Sequence, residues 1–546
     1  MSAIAQERVL DALREPAAYP HPTGGIRAVR THVSMVFLAG DFAYKVKREV
    51  RFPFLDLSTL ELRRLCCEEE VRLNRRLNPE LYLGVVAITA DAEGIHLGGS
   101  GEVVEYAVKM RRLPEDRMMD SLLRAGRFPP DAITQICERL VRFHAQAEAT
   151  DAVAAFGSPS AIAQLWDEHF VESSPLINDF LDRFQDRLLR ATARAWMVRK
   201  RALLERRLRD GHIRDGHGDL RCSSICLTEP IQIFDCLEFS QRLRCGDVAS
   251  DLAFLAMDLT WHGRRDLAEE LVDRYSELSR DAELGRLVPF YGCYRACVRA
   301  KVSALSARDA EVSPPERARF RADAGELFAL ACQYAREERP PVLLVVCGLS
   351  GTGKSTVAEE LGRAWSARVL STDRVRKELH GAGPTERRPA AFEEGIYSAG
   401  ATRWTYAALA QRAEELLRSG HSVIADGTFS QGWQRELLID AADRSGALRF
   451  FLELTASSPQ IRERLERRRR DASAESDADW SIHLAQRARW EPITLPDWDR
   501  PVVSTEDDVQ DVVRRAVQAL ALRLEPGHQT RSDPAAKTRP SSAQRS

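Results

Sequence analysis

Residues 342–356 read VLLVVCGLSGTGKST, five apolar residues running into a glycine-rich turn. Gly348, Gly353, Lys354 and Ser355 stand at the spacing of a phosphate loop. Anion binding explains the residue types. Glycines at 348, 351 and 353 let backbone N–H groups wrap a phosphate, and the helix beginning near Lys354 aims its positive end at it. Lys354 is expected to reach the outer phosphates and Ser355 to offer its hydroxyl to Mg²⁺. Ser350, Thr352 and Thr356 complete the stretch expected to hold nucleotide.

Two further strand-like runs follow. ARVLSTD ends at Asp373, with Arg376 about one helical turn later, and HSVIADGTF reaches Asp426. In an open parallel sheet, groups at the C-terminal ends of strands converge on the ligand. Asp373 is therefore the candidate base for an attacking hydroxyl, and Arg376 the candidate clamp for the acceptor. Asp426 is placed to order the Mg²⁺ water shell or to orient Arg376. The alternative for both carboxylates is a helix N-cap. Further on, SPQIRERLERRRRDASAESDADW sets Arg464 and Arg468 a helical turn apart before a polar stretch read as flexible. That suits a lid whose arginines neutralise a transferring phosphoryl group. Arg467, Arg469 and Arg470 read as a solvated face.

A second set of chemistry-bearing residues lies in the N-terminal half. HGDLRCSS at 217–224 offers Asp219 in a catalytic-base position, and IFDCLEF offers Asp235 where a metal ligand belongs. DVASDLAFLAMDL then supplies Asp251, able to hydrogen-bond the backbone of the loop carrying Asp219. A kinase built this way needs a strand lysine paired with a helix glutamate. Lys45 in FAYKVK is the first choice of lysine, with Lys47 on the same strand face as fallback. Glu70 is the partner that lets Val71, Leu73 and Leu77 face the core, with Glu69 second. Taken singly, these are equally a surface lysine and a solvated acidic run.

The elements required to position both sets are legible in outline. Residues 26–50 alternate like strands around a turn at Ala39-Gly40-Asp41, and 58–77 reads as a helix capped by Ser58. Strand-like runs return at LGVVAITA and GEVVEYAVKMRRL. The pattern is helical from about 118 to 210 and again from about 247 to 337, interrupted by a loop and short strand. After the break at RPP, 339–341, strands and helices alternate to about 522, the pattern of a parallel α/β domain. The expected domains are 1–337, with lobes at about 20–113 and 114–337, then 338–524, then a disordered tail at 525–546.

Composition narrows the function classes. The chain has 546 residues, 44% of them apolar, and a formal net charge of −2, which gives no overall pull toward nucleic acid or anionic membrane. No apolar run of 18 residues or more occurs, so no membrane span is expected. The N-terminus reads as a short amphipathic helix without a signal-peptide pattern. Eleven cysteines without framework or zinc spacing read as reduced thiols in a cytoplasmic protein.

GLSGTGKST, STDRVRKEL, VIADGTF and RERLERR resemble the small P-loop kinases of the gluconate kinase, polynucleotide kinase and AAA-type group. That resemblance covers about a third of the chain and implies phosphoryl transfer, with Asp373 as base and Arg376 as acceptor clamp. The ordered set Lys45, Glu70, Asp219, Asp235 and Asp251 resembles the aminoglycoside phosphotransferase and choline kinase superfamily. THVSMVFLAGDFAYKVKREVRFPFLDLSTLELRR, EEEVRLNRRLNPELYLGVV and FDCLEF are closer still to a bacterial phosphotransferase-like family often fused to a P-loop kinase. The resemblance implies a bilobal protein-kinase-like fold followed by a P-loop parallel α/β sheet, with ATP and Mg²⁺ as cofactors and a small hydroxylated molecule as acceptor.

One departure stands out. Where the superfamily has a second His and an Asn, this chain has Arg221 and Ser224. Asp235 and Ser224 are thus the candidate metal ligands there, and Ser224 is shorter than the amide it replaces. The N-terminal half is read as a second or degenerate phosphotransferase, or as a non-catalytic sensor regulating the P-loop domain. A nucleic-acid end kinase is a third reading, allowed by the arginine cluster and unsupported by the overall charge.

Overall fold

The computed structural model describes residues 6–31, 33–52, 55–337, 340–383, 386, 395–470, 478–494 and 500–524. The polar stretch after Arg470 (471–477), Arg339 of the RPP break and the 525–546 tail lie outside the described residues. The chain divides into two compact units: Met1–Phe180 with Lys200–Glu338, and Leu181–Arg199 with Arg339–Ser546. The expected boundary near 338 leaves residues 181–199 in the first part, whereas the contacts group them with the second.

The first unit opens with helix α1 (Gln6–Ala12) and three strands, β1 (Ile26–Arg30), β2 (Ser34–Ala39) and β3 (Phe42–Lys47). Helix α2 (Leu60–Asn74) follows, then β4 (Tyr82–Ala90), β5 (Ile95–Leu97) and β6 (Glu102–Arg111). The strands form an antiparallel sheet in the order β1-β2-β3-β6-β4-β5. The β2–β3 turn is at Gly40, whose φ is +58° and where a Cβ would stand 2.6 Å from the Pro22 carbonyl oxygen, so glycine is required twice over.

Period-two alternation sorts β3 between two cores. Tyr44 and Val46 face a cluster with Val9, Phe37 and Ile88. Ala43 packs with Cys67, Val71, Tyr82 and Val108 on the α2 side. Lys45 and Lys47 share the parity of Ala43, so both ammonium groups are carried under α2. The helix starts one residue later than Ser58 predicts. Thr59 is the N-cap, accepting from Leu62 N–H, while the Ser58 hydroxyl donates to Asp56 at 2.6 Å. The helix also ends at Asn74, short of the expected 77, but Val71, Leu73 and Leu77 are all buried.

The second lobe of this unit is helical. Helices α3 (Ala132–Gln146) and α4 (Pro159–Ser173) precede a short strand, β7 (Ile213–Asp215), paired antiparallel with β8 (Cys245–Asp247). Helix α5 (Val248–Trp261) is buried almost all round: the apolar run LAFLAM covers Leu252–Met257, and the polar Asp251 and Asp258 are buried with it. Helices α6 (Val288–Arg308) and α7 (Pro314–Glu337) pack beside it. This is the protein-kinase-like bilobal fold: an antiparallel sheet with one helix, then a helical lobe carrying the loop 216–224.

The second unit is built on β9 (Val342–Cys347), whose Leu343–Cys347 side chains are fully buried, as expected for a central parallel strand. Helix α8 (Lys354–Trp365), β10 (Arg368–Ser371), α9 (Thr372–Leu379), α10 (Ala399–Arg418) and β11 (Val423–Asp426) follow. Helix α11 (Gly432–Ser445), β12 (Leu448–Thr455), α12 (Ser458–Arg470), α13 (Trp480–Ala488), β13 (Val502–Ser504) and α14 (Val509–Leu524) complete the unit. All neighbouring strands pair in parallel, in the order β10-β11-β9-β12-β13. Residues 181–199 join this unit through Arg187, which stacks over the Phe450 ring at 5.5 Å and donates to the Arg449 carbonyl oxygen. No helix among the described residues is long and apolar enough to cross a membrane.

Candidate functional site

The loop between β9 and α8 has the form its glycines allow. Gly348, Gly351 and Gly353 all take positive φ. At Gly348 a Cβ would stand 2.5 Å from the Leu454 carbonyl oxygen, so the close approach of β12 enforces glycine there. Thr352 is buried, with its hydroxyl donating to Leu349 O at 2.8 Å and its own carbonyl accepting from the Thr505 hydroxyl at 3.0 Å. Helix α13 braces the loop from outside: Ser350 N–H donates to Gln486 Oε1 at 3.0 Å, and a ring nitrogen of His483 lies 2.9 Å from Ser350 O. Lys354 Nζ donates to Leu349 O at 2.9 Å.

A cavity of about 480 Å³ opens at the C-terminal ends of β9, β10 and β11. Ser350, Gly351, Gly353, Lys354 and Ser355 line it together with Asp373, Arg376, Asp426 and Arg468. Gly348, Thr352 and Thr356 are not in its wall; the first two shape the loop, and Thr356 is exposed on α8.

β10 ends at Ser371, two residues before the expected end, and Asp373 falls in the first turn of α9. Ser371 is the N-cap of α9 and Gln431 that of α11, so neither Asp373 nor Asp426 caps a helix. Asp426 Oδ2 accepts the Ser355 hydroxyl at 2.7 Å, and the buried Oδ1 has no hydrogen-bond partner among the described residues. Burial pushes the Asp426 carboxyl up to about 6, with Asp373 adding to the rise and Lys354 and Ser355 opposing it. Burial likewise lowers Lys354, and Arg468 adds to that lowering while Asp426 resists it. A buried carboxylate oxygen without a donor beside a serine hydroxyl suits a hydrated divalent cation, so this donor set fits Mg²⁺.

Arg376 is buried. Its Nη1 donates to Ile396 O (3.0 Å) and Thr402 Oγ1 (3.2 Å), its guanidinium lies 4.9 Å from the Tyr397 ring centre, and its Nε has no partner among the described residues. Arg464 is not brought to the cavity: it donates to Thr505 Oγ1 at 2.9 Å and Thr505 O at 2.5 Å, on the far side of the loop near Gly353. Of the two lid arginines, only Arg468 lines the site. The span of the helix fixed their register, and the long-range partner Thr505 fixed Arg464's direction.

In the first unit the expected charges do meet. Lys45 Nζ lies 2.9 Å from Glu70 Oε1 and 2.6 Å from Asp235 Oδ1. Lys47, the fallback, is fully buried on the same glutamate, 2.5 Å from Oε2, and also pairs with Glu238. Burial opposes charge on Glu70, yet the two ammonium groups keep its carboxyl below the usual range. Glu69 instead pairs with Arg72 at 2.6 Å. Glu238, three residues past Asp235, was not singled out; its signal is the second carboxylate in IFDCLEF. Asp235 takes a left-handed φ of 65°. Asp251 accepts from His217 N–H at 2.6 Å and Gly218 N–H at 2.8 Å, holding the loop before Asp219.

The two departures have structural consequences. Arg221 grips Asp219 with both arms, Nε to Oδ1 at 2.9 Å and Nη2 to Oδ2 at 2.8 Å. The Ser224 hydroxyl accepts from Arg221 N–H at 2.9 Å and donates to Arg221 O at 2.7 Å. A metal-binding role for Ser224 therefore competes with the turn it closes.

One glutamate between two buried lysines makes a stability prediction. Glu70→Ala is expected to cost about 3 kcal/mol, since removing one partner leaves buried charge uncompensated. Denaturant unfolding of the full chain measures this; a loss below about 1 kcal/mol would mean Asp235 and Glu238 suffice for both lysines.

A family model described as an AAA domain matches residues 343–493. The uncharacterized protein Rv2004c of Mycobacterium tuberculosis is 34% identical over 472 residues, covering 86% of this chain and 90% of that protein. The uncharacterized protein Mb2027c of Mycobacterium bovis matches to the same extent. The chain belongs to the family of these mycobacterial proteins. Among solved structures, a choline/ethanolamine kinase family protein from Mesorhizobium loti aligns at TM-score 0.36 and 14% identity, over 61% of this chain and 99% of that one. A gluconokinase from Sinorhizobium meliloti aligns at TM-score 0.25 and 22% identity, over 34% and 94%. Neither likeness is close enough to carry chemistry to this chain. The family relation spans both units, and the AAA match lies within the second.

Proposed function

We propose that the protein is an ATP- and Mg²⁺-dependent phosphotransferase acting on a hydroxyl of a small molecule, with the P-loop unit as main catalyst. The reading rests on one observation: Lys354, Asp373, Arg376 and Asp426 line a single cavity of about 480 Å³, a size suited to nucleotide phosphates plus a small acceptor. Ser355 and Asp426 would hold Mg²⁺, which when bound screens phosphate charge. Lys354 leaves Leu349 O to meet the outer phosphates of the substrate nucleotide. Asp373 takes the acceptor's hydroxyl proton as that oxygen attacks the γ-phosphorus, whose bond to the β,γ-bridging oxygen breaks to release ADP. Arg376 positions the acceptor through its unpartnered Nε, and Arg468 offsets charge on the moving phosphoryl group. ATP consumption against sugars, nucleosides and aminoglycosides tests this. Acceptor-stimulated turnover is expected to survive Asp219→Asn and vanish in Lys354→Ala; the reverse pattern would move the catalyst to the first unit.

For the first unit, a kinase-like domain fused to the P-loop kinase, the Arg221–Asp219 clamp favours a binding module over a second catalyst. A base held by a bidentate guanidinium is a poor proton acceptor. Because Leu181–Arg199 belongs to the second unit, a 1–337 fragment does not isolate the first. The full chain with Lys354→Ala is the proper material and is expected to show no phosphoryl transfer to any acceptor. Transfer by that variant, abolished on adding Asp219→Asn, would restore the first unit as an enzyme.

A further inference from the structure

A second cavity lies in the helical lobe of the first unit, walled by α4, α6, the start of α5 and residues 242–247. Its volume is about 40 Å³, room for roughly three waters or one small oxyanion. Four of its wall residues each carry a buried polar atom with no hydrogen-bond partner among the described residues: Trp166 Nε1, Tyr291 Oη, Arg242 Nη2 and Arg295 Nε. Trp166, Tyr291 and Arg295 are more than nine-tenths buried. Tyr291 and Arg295 are four residues apart on α6, so one helix face presents both.

Buried polar atoms are nearly always satisfied, and leaving one unmade costs on the order of 1–3 kcal/mol. Four in one wall are too many to be incidental. Their chemistry has a single sense. An indole N–H and two guanidinium N–H groups only donate. The fourth is a phenol, and burial pushes the Tyr291 hydroxyl well above its ordinary range, so it keeps its proton to donate.

The carboxylates in the wall do not answer these donors. Asp247 is taken by Arg207, at 2.5 and 2.8 Å, and by Ala249 N–H. Asp251 is taken by His217 and Gly218 N–H, with a ring nitrogen of His144 at 3.4 Å. The remaining arms of the two arginines are also fixed. Arg242 Nη1 pairs with Glu168 at 2.8 Å, and Arg295 donates to Gly218 O at 3.0 Å and Ser250 Oγ at 3.1 Å. Both guanidinium groups are thus held in place by bonds that leave one nitrogen over.

We propose that this cavity is a binding site for a small oxyanion, a phosphate or carboxylate group. The four side chains offer donors and no competing acceptor oxygen bar the protonated phenol, and the guanidinium groups of Arg242 and Arg295 supply the charge. The site is independent of the phosphoryl-transfer chemistry of the second unit. Its wall includes the residues that hold the backbone of the Asp219 loop, Arg295 on Gly218 O and Asp251 on the two preceding N–H groups.

Hydrogen exchange on the full chain locates such binding by segment, which separates it from any phosphate taken up by the P-loop. Millimolar inorganic phosphate or acetate is expected to slow exchange around 161–170 and 288–296, and the arm that does so assigns the group as phosphate or carboxylate. Tyr291→Phe removes one donor and no packing. It is expected to weaken this protection about tenfold, as for one hydrogen bond to a charged group, without lowering thermal stability. Absence of protection with both anions would mean the cavity holds only water and would overturn the proposal. So would a clear loss of stability in Tyr291→Phe, since the hydroxyl would then have a partner already.

Discussion

Asp373→Asn is expected to lower kcat by about 10²–10⁴-fold, the range for loss of a general base, while nucleotide affinity stays within a few-fold. Asparagine keeps the shape of the side chain and cannot take a proton. Asp373 sits in the first turn of α9, partly buried, with no cap to make, and lines the same cavity as Lys354. Its substitution should therefore spare the fold and the phosphate loop alike. Lys354→Ala should behave differently, losing binding and turnover together, because its ammonium serves the phosphates in ground and transition states. Nucleotide binding by calorimetry beside steady-state turnover separates the two. Retained kcat in Asp373→Asn would remove it from the role of base.

Asp426→Asn is expected to change stability and activity in opposite directions. The folded carboxyl titrates near 6, above its ordinary 3.8. Below about pH 4 both folded and unfolded chains hold the proton and nothing is lost. Between pH 4 and 6 the unfolded chain releases the proton while the folded one keeps it, so stability falls as pH rises. Above 6 the full penalty is present, up to about 3 kcal/mol for a shift of this size. Asparagine carries no such penalty and can still accept from Ser355. The unliganded variant should therefore unfold at higher temperature at pH 7–8, with the gain absent at pH 4. Turnover should fall about tenfold to a hundredfold, the usual cost of removing a group that orders a metal's surroundings. A variant less stable at pH 7, or an unchanged dependence on pH, would show that the carboxylate is not strained by its burial.

What could be read from the chain depended on how local the chemistry is. The phosphate loop is one contiguous stretch whose glycines answer to their own φ and to one neighbouring strand, so VLLVVCGLSGTGKST announces it. Lys45 and Lys47 could be placed on one face because strand parity is a property of the sequence alone. That both meet Glu70 depends on the packing of α2 across β3, and Glu238 joins from far along the chain. The identity of Arg221 was visible as a departure; its bidentate grip on Asp219 was not, since a side-chain direction is a property of the folded loop. Arg464 shows the same limit. Helical spacing pairs it with Arg468, and Thr505, in contact only through the fold, turns it elsewhere. The four donors of the small cavity carry no sequence signature because three separate segments contribute them.

The tie between Ser350 and Gln486 gives the phosphate loop a built-in competitor. An incoming phosphate that takes the Ser350 N–H must release the Gln486 carbonyl, just as it must draw Lys354 off Leu349. Nucleotide capture at these two points is an exchange of partners more than a gain of bonds. Reciprocity then holds: whatever tightens α13 on the loop loosens the nucleotide by the same factor, and the nucleotide loosens α13 equally. The affinity of the loop is thereby set in part by a glutamine 136 residues away in the chain.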